Sequence, residues 1–193
     1  MMAKRGKEGF LAGKHFKVIS GLLALFLISL AFDFQISSFV TSLSYSWIYF
    51  GFLALGLYAS YMIVGIPSII VFLKDRKKTL YMWAAMASAW LLDAALKIGV
   101  HRIRPFDAGI IAPDFLVKAS YKAWDFSFPS SHAALSFAAI PFLPKKWVIP
   151  WVVLAALISF SRVYFGLHYL SDVIAGAAIG LMIGFFVKKK FVK

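Results

Sequence analysis

Three short stretches of the chain set charged and titratable residues beside long apolar runs: Lys97-Ile-Gly-Val-His-Arg-Ile-Arg104-Pro105, Phe128-Pro129-Ser130-Ser131-His132, and Ser161-Arg162 through His168 to Asp172. Polar groups at membrane depth are costly and are usually kept for a function. Lys97 and Arg104 stand seven apart, two turns on one face if the helix runs that far, and two cations held together require an anion between them. Ser130 and Ser131 open an apolar run. A helix starting there offers a serine cap and N–H groups that attract phosphate, and His132 in its first turn could donate a proton. His168 and Asp172 stand four apart, a spacing that on a helix lets the carboxylate accept from one imidazole nitrogen and leaves the other as a nucleophile. Each stretch also has a plainer reading: snorkelling cations, an ordinary cap, a salt-bridged helix end. Together they hold the groups that phosphoryl transfer uses: cations for nonbridging oxygens, one histidine to attack and one to protonate the leaving oxygen.

The elements that must position these residues are membrane helices. Hydrophobic residues make up 62% of the chain, and Phe alone occurs 20 times. A soluble domain has about 45–50% apolar residues with glycine included, and one of this size could not hide so much apolar surface. Six apolar segments stand out, at 16–34, 47–73, 79–100, 131–143, 147–163 and 170–187. The expectation is an all-α, polytopic membrane protein, a six-transmembrane-helix bundle forming one domain over residues 1–193. The Ser-rich stretch 35–46 reads as a loop, and Pro67 predicts a tilt or kink in the second segment. The fourth segment rises only about 20 Å against about 30 Å of hydrocarbon, so it needs local thinning, protein shielding or a longer helix.

Fifteen of the 21 Lys and Arg lie in the two tails and in the turns after the second and fourth segments. The positive-inside rule then places both termini in the cytoplasm and all three polar stretches at the outer face of a cytoplasmic membrane. Read this way, the net charge of +13 reflects topology and anionic headgroups rather than nucleic acid. No cysteine is present, so disulfides and thiolate chemistry are excluded, and no familiar metal-ligand spacing occurs. Small-x-small cleavage signals do not follow the first segment, which reads as a retained helix. No internal repeat suggests a two-half transporter.

In order, the three stretches resemble the signature of the type 2 phosphatidic acid phosphatase superfamily, which includes the vanadium haloperoxidases: K-x6-R-P, P-S-G-H and S-R-x5-H-x3-D. Here they read Lys97…Arg104-Pro105, Pro129-Ser130-Ser131-His132 and Ser161-Arg162…His168…Asp172, all within residues 97–172. The first and third match in identity and spacing. In the second, Ser131 stands at the glycine position; it keeps the backbone N–H but loses glycine's conformational freedom. The resemblance implies that His168 forms a phosphohistidine, Asp172 orients it and His132 is the general acid. It further implies that Lys97, Arg104 and Arg162 clamp phosphate, assisted by Ser130 and the N–H groups near Ser131, with no metal or cofactor.

The implied substrate is a lipid phosphate or diphosphate drawn from the bilayer. Undecaprenyl (polyprenyl) diphosphate is the first choice, with phosphatidylglycerol phosphate, phosphatidic acid and lipid A as alternatives. A non-catalytic lipid-phosphate binder or a transporter is the competing reading, against which the paired His168 and Asp172 argue. A soluble haloperoxidase is excluded by the hydrophobicity. His101 and Arg102 match no signature position and read as solvated or headgroup contacts. Asp93 is expected to pair with a cation inside the bundle, and His15 to lie away from the chemistry. Phe106, Tyr121 and Trp124–Phe128 offer rings to the substrate or to the membrane interface.

Overall fold

The computed structural model of the protein describes residues 2–43, 46–110 and 126–191, with the side chains of 2–19, 22 and 46 outside that description. The described residues form six α-helices in order: α1 (Met2–Thr41), α2 (Ser46–Phe72), α3 (Arg76–Val100), α4 (Ser131–Ala139), α5 (Lys145–Tyr164) and α6 (Leu170–Phe191). A 3-10 turn, Ile140–Phe142, prolongs α4.

Among the described residues, five stretches are long and apolar enough to cross a membrane: Leu23–Thr41, Trp47–Phe72, Arg76–Val100, Lys145–Tyr164 and Leu170–Phe191. The expected sixth span is not among them. With its 3-10 turn, α4 rises only about 20 Å. The described residues therefore form a polytopic, all-helical bundle, with five full-length spans around one short helix. Shielding by protein is what lets α4 be short: Ala133, Ala134, Ala138 and Phe142 are fully buried, so its backbone faces other helices rather than lipid.

The closest packing lies between α4 and α6. Gly176, Gly180 and Gly184 present bare backbone to the carbonyls of Ser130, Ala134 and Ala138 respectively. A Cβ on Gly180 would lie 2.1 Å from the Ala134 oxygen. Small residues at every fourth position let helix backbones approach in a medium where lipid tails remove the hydrophobic drive. The pairing order shows that α4 and α6 run parallel, so both N-termini reach the same end of the bundle.

The first helix differs from its expected bounds. It runs through the serines to Thr41 rather than ending at 34. The hydroxyl of Thr41 bonds back to the Ser37 carbonyl at 2.7 Å, and that of Ser42 to Phe39 at 2.7 Å, so the serine-rich turns satisfy their own backbone. Ser29, Asp33, Ser37 and Val40 form its buried stripe, while Leu23, Phe34 and Phe39 are exposed. Asp75 caps α3, accepting from the Lys78 N–H at 3.0 Å. At the other end His101 takes the left-handed cap position, with φ at 53°, and returns its N–H to the Lys97 carbonyl.

Candidate active site

Parallel packing of α4 and α6 aims two helix N-termini, and their partial positive charge, at one region. Lys97 and Arg162 reach it from the last turns of α3 and α5, where a cation suits the negative end of the helix dipole. Helix α3 ends at Val100, so Lys97 and Arg104 do not share a helical face as their spacing suggested. The turn after His101 brings them together instead. Lys97 Nζ donates to the carbonyls of Phe126 and Pro129, both at 2.8 Å, and Arg104 Nη2 to that of Phe126 at 3.3 Å. Arg104 is 2% exposed, the largest of the fully buried side chains, and its Nη1 donates to the Leu167 carbonyl at 2.6 Å.

His168 precedes α6 rather than lying on it, which alters the expected His–Asp geometry. Its Nδ1 donates to the Ser127 carbonyl at 2.6 Å, while the Asp172 carboxylate stands 3.6 Å away. A carbonyl can only accept and a guanidinium can only donate. The Ser127 oxygen therefore assigns the proton to Nδ1, and Arg104 Nη1, 3.4 Å from Nε2, faces the unprotonated nitrogen. Burial holds the imidazole well below its ordinary range, and Arg104, Lys97 and Arg162 push the same way against the Ser127 carbonyl. A base shifted down stays neutral below its usual titration point of about 6.5. Nitrogen-15 spectra of the histidine-labelled protein in nanodiscs should thus show His168 protonated at Nδ1 and bare at Nε2 at pH 6. A protonated Nε2 at that pH would contradict the assignment.

Asp172 caps its own helix: as the third residue of α6 it accepts from the Tyr169 N–H at 2.8 Å, the carboxylate half of a capping box. His132 lies in the first turn of α4, where Arg162 Nη2 meets its Nε2 at 2.8 Å and also donates to the Gly56 carbonyl at 2.9 Å. Ser130 is the N-cap of α4 by position but makes no capping bond, and its buried hydroxyl has no hydrogen-bond partner among the described residues. The Ser131 hydroxyl turns to Asp93, so only the backbone N–H of Ser131 is left for an anion.

Arg102 is not a solvated residue. Its Nη1 meets Asp172 Oδ1 at 2.6 Å and its Nη2 meets Asp33 Oδ2 at 2.7 Å. Burial opposes its charge, but Asp172 and Asp33 outweigh that cost and raise its pKa. Asp33 was missed by sequence reasoning, although Ser29-x3-Asp33-x3-Ser37 is a legible polar stripe at helical spacing. Phe106 packs into the core beside Val163, Tyr164 and Phe165 and is closed to a substrate. Tyr121 and Trp124 lie outside the described residues, as does the side chain of His15.

Among the described residues no cluster of three or more His, Cys, Asp and Glu could hold a metal ion. The chain is 34% identical over 121 residues to an undecaprenyl-diphosphatase from Sulfolobus acidocaldarius, covering 61% of this chain and 57% of that protein. It is 31% identical over 141 residues to phosphatidylglycerophosphatase B from Bacillus subtilis, covering 66% and 64%. It thus spans less than two thirds of the length of either relative. The crystal structure of a transmembrane PAP2 type phosphatidylglycerolphosphate phosphatase from Bacillus subtilis superposes with a TM-score of 0.69 at 25% identity, over 90% of this chain and 96% of that one. The profile of the PAP2 superfamily matches residues 78–193, which contain every signature residue, and the chain belongs to that superfamily.

Proposed function

We propose that the protein hydrolyses the phosphate or diphosphate of a membrane lipid through a phosphohistidine on His168, without a metal ion. The observation that carries this is the setting of His168, with Nδ1 on the Ser127 carbonyl at 2.6 Å and Nε2 facing Arg104 at 3.4 Å. Lys97, Arg104 and Arg162, with the α4 N-terminus and the Ser130 hydroxyl, hold the nonbridging oxygens. Nε2 forms a bond to phosphorus as the bond to the lipid oxygen breaks, and His132 gives that oxygen a proton. Arg162 occupies His132 Nε2, so a phosphate oxygen competing for Arg162 would release that nitrogen to carry the proton. Water then attacks phosphorus, loses its proton to His132, and leaves phosphate and free His168.

The preferred substrate is undecaprenyl diphosphate, with phosphatidylglycerol phosphate, phosphatidic acid and lipid A as the alternatives. An apolar groove lined by Val64, Trp83, Met86, Ala87, Trp90 and Leu135 runs along the helices that carry Lys97 and His132, and suits a hydrocarbon tail. Phosphate release from the protein in nanodiscs, offered each of the four lipids, tests the reading. Fastest turnover of undecaprenyl diphosphate supports it and preference for another lipid reassigns the headgroup, whereas binding without release from any would leave a lipid-phosphate binder.

The cation clamp, with no metal-holding cluster among the described residues, predicts that turnover survives EDTA and that vanadate inhibits by occupying the clamp. Loss of activity in EDTA, restored by a divalent ion, would require another mechanism. Both termini lie in the cytoplasm in this reading, with the site outside. Single cysteines at Lys77 and Lys190 should resist an impermeant thiol reagent in intact cells, and one at Asp107 should react. The reverse pattern would invert the topology.

A further inference from the structure

We infer that Asp33 of the first helix and Arg102 form a positioning bridge that sets the two acceptors facing His168, so that α1 takes part in organising the nucleophile. Arg102 holds both of those acceptors. Its guanidinium binds Asp172 Oδ1, and its backbone carbonyl accepts from the Ser127 N–H at 2.8 Å. Ser127 is in turn the residue whose carbonyl takes the His168 proton, and its hydroxyl reaches the Ile103 carbonyl at 3.2 Å. One residue therefore determines where both the neutral and the charged acceptor stand.

Asp33 anchors the other side of Arg102. Its Oδ2 meets Arg102 Nη2 at 2.7 Å and accepts from the Ser171 hydroxyl, while its Oδ1 accepts from the Ser171 N–H at 3.1 Å. Arg102 Nη1 also reaches the Ser171 hydroxyl at 2.7 Å, and its guanidinium lies 4.0 Å from the centre of the Tyr169 ring. Asp33 is 5% exposed and Asp172 fully buried, so two buried carboxylates share one half-buried cation. A planar guanidinium can face both at once, which a point-charge ammonium cannot do in the same geometry. Arg102 holds Asp172 Oδ1 while Oδ2 caps α6, and this keeps the carboxylate off His168 Nδ1, leaving that proton to Ser127. The bridge thus balances the charge that a phosphorylated imidazole feels. Asp33 lies outside residues 78–193, so the first helix contributes to the site from beyond the family signature.

This inference rests on His168 as nucleophile, and its test separates the two. The groups around His168 are Lys97 on α3, Arg102 and Arg104 in the following turn, His132 on α4, Arg162 on α5, Tyr169 and Asp172 at the start of α6, and Asp33 on α1. Full-length wild type, His168→Ala, Asp33→Asn, Arg102→Gln and Arg102→Lys are compared in nanodiscs, with kcat, KM and the acid limb of the pH profile measured per folded molecule. Asp33→Asn should lower kcat about 10- to 100-fold, the range for partners that orient an imidazole, and change KM less than about threefold. Its acid limb should move to lower pH, because the Arg102 charge is less balanced, and that of Arg102→Gln to higher pH. A lower melting temperature with kcat and limb unchanged in Asp33→Asn would overturn the bridge. If that variant does not fold, Arg102→Lys decides, and wild-type kcat and limb there overturn it equally. An inactive wild type or an active His168→Ala would sink the nucleophile instead. In that case the His168 Nδ1 resonance of Asp33→Asn still decides the bridge, which predicts a shift and is overturned by an unmoved signal.

Discussion

His168→Ala should reduce phosphate release to the level of membranes lacking the protein, on every substrate, because no covalent intermediate can form without Nε2. His132→Ala should behave differently. Its contribution is protonation of the leaving oxygen, worth about 10²–10⁴-fold, and this help matters less when the leaving group is already a weak base. The variant should therefore lose most of its activity on a lipid monophosphate and much less on p-nitrophenyl phosphate, provided chemistry limits both rates. Asp172→Asn should fall between the two. It keeps the imidazole and the Ser127 acceptor but loses the charge near Nδ1 and weakens the start of α6. The measurement is kcat/KM for each variant on both substrates, with folding checked by gel filtration. Equal losses in His132→Ala on the two substrates would remove its role as general acid.

Gly180→Ala should be as damaging as the loss of a site residue, although Gly180 lies far from the chemistry. Its new methyl would sit 2.1 Å from the Ala134 oxygen and 2.9 Å from the Ala138 nitrogen, both backbone atoms with no side-chain rotation to relieve them. The helices must part. Overpacking of this kind costs about 1–3 kcal/mol, and it moves Ser130 and His132 on α4 away from Asp172 on α6 and from His168 beside it. A displacement of about 1 Å can cost 10²-fold in rate. Gly51→Ala, on a glycine with nothing within 4 Å, is the matched control and should keep wild-type stability and turnover. Melting temperature and kcat in detergent decide it. If Gly180→Ala matched Gly51→Ala in both, the close α4–α6 contact would not be what aligns the histidines.

Much of the candidate site was legible because residue identity and spacing carry it: Lys97, Arg104, His132, Arg162, His168 and Asp172 converge as their types suggested. The geometry joining them was less legible. Spacing of seven and four read as helical faces, but the left-handed cap at His101 ends α3 before Arg104, and His168 stands before α6 rather than on it. Arg102 reads as an interfacial cation unless Asp33 is known to lie beside it, and 69 residues separate the two. Nothing local encodes such a pair. The glycine stripe at 176, 180 and 184 is visible as a repeat, yet which helix it meets depends on the bundle. Likewise α4 looked like a doubtful span from its length, and only its burial among other helices shows why a short helix suffices.

The central claim is that phosphorus passes through a covalent bond to His168, and stereochemistry at phosphorus tests it most directly. A lipid phosphorothioate made chiral at phosphorus with oxygen-16 and oxygen-18 is hydrolysed in oxygen-17 water, and the configuration of the released thiophosphate is read. Two in-line displacements, first by His168 Nε2 and then by water, predict net retention. Net inversion would mean that water attacks the lipid phosphate directly, and the phosphohistidine account would be contradicted.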